Sequence, residues 1–199
     1  MTKFIFDLDG TITSKETLPL ISNHFRLNEE IESLTKETVE GNIPFIESFI
    51  RRVYILGQLP VDEIDNLLET VELHPKVVDF ISQNSDNCVI ATGNLECWIS
   101  KLVKKIGCKC YHSEGIIKDN KVEKLTKILK KENIVSFYKN AGEKVVFIGD
   151  GNNDMEAMRI ADVAIASGLT HKPAKSVLSV SDYLVYSEEA LCRLLNQLL

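Results

Sequence analysis

The sequence lacks an excess of basic residues. Its 199 residues contain 23 lysines and arginines against 29 aspartates and glutamates, which gives a formal net charge of -6. A nucleic-acid-binding protein needs a basic face that displaces the counterions of the phosphate backbone. The lysine-rich segments 101–105 and 118–131 lie among acidic residues and favour solvated surfaces. We therefore expect no nucleic-acid partner.

The sequence also lacks a long hydrophobic run and a paired-cysteine motif. No segment approaches the roughly 20 apolar residues of a membrane span. The first apolar run stops at Asp7, and no basic stretch precedes it, so we expect no membrane partner and a cytoplasmic protein. The five cysteines lack the C-x-x-C spacing of a zinc site, which favours reduced, mostly buried thiols.

What the sequence does contain is an alternation of short apolar runs with helical patterns. Continuous apolar runs of this length are typical of parallel strands that helices cover on both faces. The runs lie at 3–6, 88–91, 144–148, 162–166 and 183–186. The alternation predicts an α/β fold with a doubly wound, mainly parallel, Rossmann-like sheet.

Residues 14–75 interrupt this alternation, because they contain apolar spacings of three and four residues and no strand candidate. Such spacings are those of amphipathic helices, so we predict a small all-helical cap inserted after the first strand. The core domain would then comprise residues 1–13 and 76–199. A second excursion, at 113–129, centres on an Asp-Asn pair and predicts a β-hairpin.

Polar residues follow three of the predicted strands at the point where each strand ends. Ligands bind beyond the carboxyl ends of parallel strands, so we expect the three segments to meet at one edge of the sheet. They are Asp7-Leu8-Asp9-Gly10-Thr11, Ala91-Thr92-Gly93-Asn94 and Gly149-Asp150-Gly151-Asn152-Asn153-Asp154. The third segment fits neither a calcium loop nor a dinucleotide-binding loop, because Met155 and Asp154 stand where those motifs require glycine.

Carboxylates gathered in this way are suited to phosphoryl transfer. Asp7 and Asp9 repel each other unless a cation compensates them, and these aspartates with Asp150 offer the oxygen ligands that suit Mg²⁺ beside a phosphate. One carboxylate can accept a phosphoryl group, while a second carboxylate two residues away moves protons. The Thr92 hydroxyl, backbone N–H groups at the glycines and a lysine are available to neutralise the phosphoryl charge.

The three motifs, in this order, resemble those of the haloacid dehalogenase superfamily of aspartate-nucleophile phosphohydrolases. The resemblance spans nearly the whole chain, because the predicted helical cap lies where that superfamily places its first type of cap. It implies Asp7 as the nucleophile, Asp9 as the general acid and base, and Thr92 as a contact of the phosphoryl group. It also implies that Asp7, the backbone carbonyl of Asp9 and Asp150 hold Mg²⁺, with Asp154 supporting this metal site.

The superfamily further requires a lysine beside the phosphoryl group, before the strand that carries the last aspartate motif. The candidates in this sequence are Lys121, Lys124, Lys127, Lys130 and Lys131. We predict Lys131, because apolar residues follow it at the three-, four- and seven-residue spacing of a helix. Lys130 and Lys121 are the next candidates.

The predicted cap is similar to that of the phosphoserine phosphatase branch of the superfamily. The similarity lies in the pattern Gly41…Phe45…Ser48…Arg52-Val53. Arg52 is suited to bind a carboxylate through two hydrogen bonds, and Glu16 is suited to pair with an ammonium group. Gly93 and Asn153 are the other predicted substrate-binding residues.

The sequence departs from this branch at Gly10, where many members have serine, and at Asn94, where the branch usually has glycine. We expect a Mg²⁺-dependent phosphatase whose partner is a small phosphorylated metabolite. Phosphoserine is the leading substrate; another small phosphomonoester, or phosphotransferase activity, is the alternative. A phospho-accepting receiver domain is disfavoured, because receivers are smaller and have no helical segment after their first strand. The four histidines fit no ligand spacing and receive no predicted role.

Overall fold

In the described residues, seven strands form one sheet at the centre of the fold. The computed structural model describes residues 1–39 and 42–199. The strands are β1 (Thr2–Phe6), β2 (Cys88–Leu95), β3 (Lys109–Lys118), β4 (Lys121–Lys127), β5 (Lys144–Gly149), β6 (Val163–Ser167) and β7 (Tyr183–Val185). Their order in the sheet is β4-β3-β2-β1-β5-β6-β7. Neighbouring strands are parallel except β3 and β4, which are antiparallel.

Ten α-helices accompany the sheet in the described part of the chain. They are α1 (Thr17–His24), α2 (Asn28–Val39), α3 (Phe45–Leu56), α4 (Val61–Glu69), α5 (Pro75–Gln83), α6 (Glu96–Ile106), α7 (Lys131–Asn140), α8 (Met155–Ile160), α9 (Lys175–Leu178) and α10 (Glu188–Leu198). A single 3₁₀ turn, Asn152–Asp154, precedes α8. None of the helices in these residues has both the length and the apolar character needed to cross a bilayer.

Hydrophobic cores lie on both faces of the sheet. Alternate residues of a strand point to opposite faces, so Phe4 packs in one core, where its ring meets the edge of Phe80 at a centroid distance of 5.4 Å. Ile5 packs in the other core, with residues such as Val135 and Met158. Because both faces are covered by helices, the prediction of a doubly wound, mainly parallel sheet is confirmed.

The register of the central strands brings two of the predicted motifs side by side. Phe6 of β1 lies opposite Ile148 of β5 in a parallel ladder, and the Asp7 N–H donates to the Ile148 carbonyl at 2.9 Å. Asp150 follows directly after β5. The carboxyl ends of β1 and β5 therefore deliver Asp7 and Asp150 to the same edge of the sheet.

The segment after β1 is helical where the structure describes it, since α1 to α4 follow one another without an intervening strand. The chain leaves and re-enters the sheet through two adjacent antiparallel segments. Thr13 forms an isolated bridge with Leu73, and the His74 N–H donates to the Ile12 carbonyl at 2.9 Å. This geometry favours the division into a cap of residues 14–75 and a core, which stays a prediction. Gly41, part of the predicted cap pattern, lies outside the described residues.

The predicted hairpin is confirmed as β3 and β4, which are joined by a two-residue turn. Asp119 and Asn120 have φ values of 49° and 61°, the left-handed conformation that a tight hairpin turn requires. The Asn120 carbonyl accepts the N–H of Val61 at 2.8 Å, and the Gly57 carbonyl accepts the N–H of Val122 at 2.9 Å. The hairpin therefore holds the junction between α3 and α4 against the core.

The five cysteines are free thiols. Cys88 is buried, and the others are partly buried. Burial raises the pKa of the Cys88 thiol to about 12, so this group stays protonated at neutral pH. The prediction of unpaired thiols agrees with the structure, but only Cys88 is fully buried, and the other four pack at the margin of the core.

Candidate active site

Asp7 is buried at the end of β1, the central strand of the sheet. Its Oδ1 accepts the N–H of Leu8 at 2.8 Å and lies 2.6 Å from Lys131 Nζ. Burial, followed by the nearby negative charge of Asp154, raises the pKa of Asp7 well above its ordinary value. A cation beside this carboxylate would favour its ionised form.

Lys131 is the lysine that the structure brings to Asp7. It is the first residue of α7, and only 3% of the residue is exposed. Its ammonium lies 2.6 Å from Asp154 Oδ1 as well as from Asp7. Burial disfavours the ammonium, but attraction to Asp154 and Asp7 outweighs burial and raises the Lys131 pKa. The group is thus a fixed positive charge beside the proposed nucleophile.

Asp154 organises the loop that follows β5. Its Oδ2 accepts the N–H of Asp150 at 3.1 Å and the N–H of Gly151 at 3.0 Å, while Oδ1 binds Lys131. Two oxygens therefore fix both the loop backbone and the lysine. This placement is consistent with the supporting role that the sequence predicts for Asp154.

Three carboxylates form a candidate metal site. Carboxylate oxygens of Asp7, Asp150 and Asp154 all lie within 4.8 Å of one another, and all three residues are buried. Asp150 is fixed in turn by Thr11, whose hydroxyl donates to Asp150 Oδ1 at 2.7 Å. Oxygen ligands in a small buried cluster are those that a hard divalent cation such as Mg²⁺ prefers. The donor set and the raised Asp7 pKa therefore fit a bound Mg²⁺.

Asp9 lies beside Asp7 and is held through both of its carboxylate oxygens. Oδ1 accepts the hydroxyl of Thr17 and also its N–H at 3.2 Å, and Oδ2 accepts the Asn94 side-chain amide at 2.7 Å. Burial raises the pKa of Asp9, and the Thr17 hydrogen bonds oppose that rise. The sequence analysis missed Thr17 as a partner of Asp9, because no motif spacing relates the two residues.

Thr92 and Gly93 occupy the end of β2, next to β1. Thr92 is fully buried, and its hydroxyl accepts the N–H of Asn94 at 3.1 Å. Gly93 lies under the Phe49 ring of the cap, since a Cβ at this position would stand 3.9 Å from that ring. The structure thus places both predicted residues beside the strand that carries Asp7.

A cavity of about 370 Å³ lies between the edge of the sheet that carries Asp7 and the helices α1 to α3. The predicted substrate-binding residues all line it: Glu16, Arg52, Gly93 and Asn153. Its polar floor includes Asp7, Asp9 and Asp150. The apolar part of the wall comprises Leu18, Phe49, Val53, Leu56 and Trp98. The cavity therefore offers a charged end for a phosphoryl group, and a wall of polar and apolar residues for the rest of a small substrate.

Arg52 is the cation on the cap side of this cavity. Its Nη2 donates to the Thr35 hydroxyl at 3.3 Å, whereas its Nε is buried and has no hydrogen-bond partner among the described residues. Burial lowers the pKa of Arg52. Arg51 is not among the residues lining this cavity and pairs with Glu47. Arg52 thus brings a guanidinium group to the wall of the cavity.

His171 also lines the cavity, and the sequence analysis missed it. Its Nε2 lies 2.7 Å from Glu16 Oε1 and 3.2 Å from Asp150 Oδ2, while Nδ1 lies 3.1 Å from the Lys172 carbonyl. Both ring nitrogens therefore face acceptors. Hydrogen bonding to Asp150, aided by Glu16, raises the His171 pKa to about 10.

Comparison with known proteins places this chain in one family of enzymes. The model of the haloacid dehalogenase-like hydrolase family matches residues 2–162, and the chain belongs to this family. The chain is similar to phosphoserine phosphatases, among them that of Methanocaldococcus jannaschii. The two are 26% identical over 175 residues, which cover 81% of this chain and 83% of the relative.

Solved structures share the fold. A HAD family hydrolase of Salmonella enterica serovar Typhi superposes with a TM-score of 0.83 at 20% identity, covering 96% of this chain and 70% of that one. A phosphoserine phosphatase solved as a phospho-aspartyl intermediate analogue gives a TM-score of 0.79 at 21% identity, covering 98% and 99%. The resemblance drawn from the sequence motifs is confirmed, and the chain is a phosphoserine phosphatase-like hydrolase of this family.

Proposed function

We propose that the chain is a Mg²⁺-dependent phosphomonoester hydrolase that forms an aspartyl-phosphate on Asp7. The observation that carries the proposal is the arrangement around Asp7. One oxygen of this buried carboxylate contacts Lys131 at 2.6 Å, and Asp9 follows two residues later on the same cavity floor. A carboxylate suited to act as the nucleophile, a buried positive charge beside it and a second carboxylate suited to carry protons support this proposal.

In the first half of the reaction, an Asp7 oxygen attacks the phosphorus atom of the substrate. The bond between phosphorus and the ester oxygen breaks as the new P–O bond to Asp7 forms. Protonated Asp9 gives its proton to the departing oxygen, so an alcohol leaves. The raised Asp9 pKa supports this role, because burial favours the protonated form that a general acid needs.

In the second half, the Asp9 carboxylate takes a proton from a water molecule. The water oxygen attacks phosphorus, the bond to Asp7 breaks, and inorganic phosphate leaves. Lys131 and Thr92 would contact the phosphoryl group, and the backbone N–H of Gly93 would add a hydrogen bond.

Asp7, Asp150 and the Asp9 backbone carbonyl would hold Mg²⁺, with Asp154 supporting them. The bound ion would neutralise the phosphoryl oxygens and the carboxylates that surround them. The mutual approach of the Asp7, Asp150 and Asp154 carboxylates supports this assignment.

We further propose a small amino-acid-like phosphate, with phosphoserine first, as the substrate. Arg52 supports this choice, since it lines the cavity and its guanidinium fork suits a substrate carboxylate. Glu16, which lines the same cavity, would take the ammonium group. The similarity of the chain to phosphoserine phosphatases supports the same substrate class.

The test is hydrolysis of phosphoserine, phosphoethanolamine and sugar phosphates in the presence and absence of Mg²⁺. We expect Mg²⁺-dependent phosphate release that is fastest with phosphoserine and falls in Arg52→Ala. Arg51→Ala is the matched control, because Arg51 pairs with Glu47. Equal rates on all three substrates, or an unaffected Arg52→Ala variant, would instead favour another small phosphomonoester.

A further inference from the structure

His171 connects two distant parts of the chain across the cavity wall. It lies between β6 and α9, whereas Glu16 directly precedes α1, 155 residues earlier. We propose that His171 is a positioning residue that holds the Glu16 carboxylate in the substrate cavity and thereby sets the preference for substrates that carry an ammonium group. This inference rests on the phosphatase function proposed above.

The loop that carries His171 is anchored on both sides of the histidine. On one side, the Gly168 N–H donates to the Val185 carbonyl at 2.7 Å, and the Thr170 hydroxyl donates to the Thr13 carbonyl at 3.0 Å. On the other side, the Ala174 N–H donates to the Asp150 carbonyl at 2.8 Å. The backbone that carries the His171 imidazole is therefore held by hydrogen bonds to Thr13 on one side and to Asp150 on the other.

Gly10 leaves the space in which His171 and Glu16 meet. Its φ is +70°, and a Cβ there would lie 2.7 Å from Glu16 Oε1 and 3.0 Å from His171 Nε2. Both distances are too short for an undisturbed contact, so a side chain at position 10 would push the pair apart. The absence of a side chain at Gly10 therefore permits the contact between His171 and Glu16.

The contact between His171 and Glu16 matters because a free glutamate side chain populates several rotamers and loses conformational entropy when it binds a ligand. The Glu16 side chain is 37% exposed, and its hydrogen bond with His171 at 2.7 Å restrains it before a substrate arrives. Restraining a group in its binding conformation lowers the entropic cost of association. Without His171, Glu16 would bind an ammonium group less well. The contact of His171 Nε2 with Asp150 Oδ2 at 3.2 Å would be lost as well, but that loss affects every phosphate substrate alike and cancels when two substrates are compared.

The test compares phosphoserine with 3-phosphoglycerate, which carries a hydroxyl where phosphoserine carries its ammonium. Steady-state kinetics at saturating Mg²⁺ give the ratio of kcat/KM for the two substrates. We expect His171→Ala to lower this ratio by about tenfold, through KM for phosphoserine. His171→Gln, whose amide can still donate to Glu16, should restore most of the ratio, and Lys175→Ala on α9 should leave it unaltered.

A double-variant cycle makes the test specific to Glu16. In a Glu16→Gln background, His171→Ala should leave the substrate ratio where Glu16→Gln alone put it, because coupled residues are not additive. Additive effects, an equal loss on both substrates, or a wild-type protein without preference for phosphoserine would each overturn the inference while the phosphatase function stood. Hydrolysis of neither substrate by the wild type would overturn the inference and the proposed substrate class. The phosphatase function itself would fail only if phosphoethanolamine and the sugar phosphates also released no phosphate.

Discussion

The Lys131 ammonium lies 2.6 Å from the Asp7 carboxylate. We expect Lys131→Ala to lower kcat by about 10²–10³-fold, because the variant loses a fixed charge beside the phosphoryl group. Lys130→Ala is the matched control, since Lys130 is exposed at the start of the same helix. Circular dichroism must accompany the kinetics, because the variant leaves two buried carboxylates without their cation. A folded Lys131→Ala variant with unchanged turnover would refute the assignment.

Asp7→Asn should inactivate the enzyme and stabilise its metal-free form. Burial and the Asp154 charge raise the Asp7 pKa, so ionised Asp7 costs folding free energy that increases as pH rises through that pKa. We expect the variant to melt a few degrees higher at neutral pH, since about 1 kcal/mol shifts Tm by about 2–4 °C at this chain length. Asp86→Asn, at an exposed aspartate, is the control. A lower Tm for Asp7→Asn would contradict the account.

Thr17 and Asn94 hold opposite oxygens of Asp9. We expect Thr17→Val and Asn94→Ala each to lower kcat by about tenfold with little change in KM, because a mispositioned general acid affects the transition state more than substrate binding. Thr70→Val serves as the control, because the Thr70 hydroxyl donates to the Leu67 carbonyl at the end of its own helix. A loss confined to KM would show that these residues contact the substrate instead.

His74 should make stability depend on pH. Burial lowers its pKa below the ordinary value of 6.5, although Glu188 opposes the shift. The unfolded chain then binds the proton more readily, so the free energy of unfolding falls as pH decreases through about 6.5. Denaturant unfolding at pH 7.5 and pH 5 should show a smaller loss for His74→Gln than for the wild type. His24→Gln, at an exposed histidine, is the control. If the wild type and His74→Gln lost the same stability between the two pH values, His74 would not contribute to the pH dependence.

Local pattern was sufficient to predict much of the sheet and part of the site. The apolar run before Asp7 predicts a buried strand, and its position at the centre of a parallel sheet explains why Asp7 and Asp150 meet. Helical periodicity also predicts which of two neighbouring residues faces the site, because side chains one residue apart on a helix point about 100° apart. It favours Lys131 over Lys130 and Arg52 over Arg51. These distinctions depend on neighbours that are close in sequence.

Contacts between distant loops could not be predicted in this way. His171 lies 155 residues from Glu16, and no spacing rule relates a histidine after β6 to a glutamate before α1. Asn94 poses the same difficulty, because its contact with Asp9 depends on how two strand ends are juxtaposed. The sequence shows that Gly10 departs from the phosphoserine phosphatase branch. That this glycine makes room for Glu16 and His171 could be learned only from their positions in the structure.

The most direct test of the account traps the phosphorylated enzyme. Rapid mixing of the enzyme with phosphoserine and Mg²⁺, a quench during turnover and borohydride reduction convert a phosphorylated aspartate to homoserine, which peptide mass spectrometry locates. The account predicts homoserine at position 7, only when both substrate and Mg²⁺ are present and not in Asp7→Asn. Active turnover with no conversion, or with conversion at Asp9 or Asp150, would contradict it.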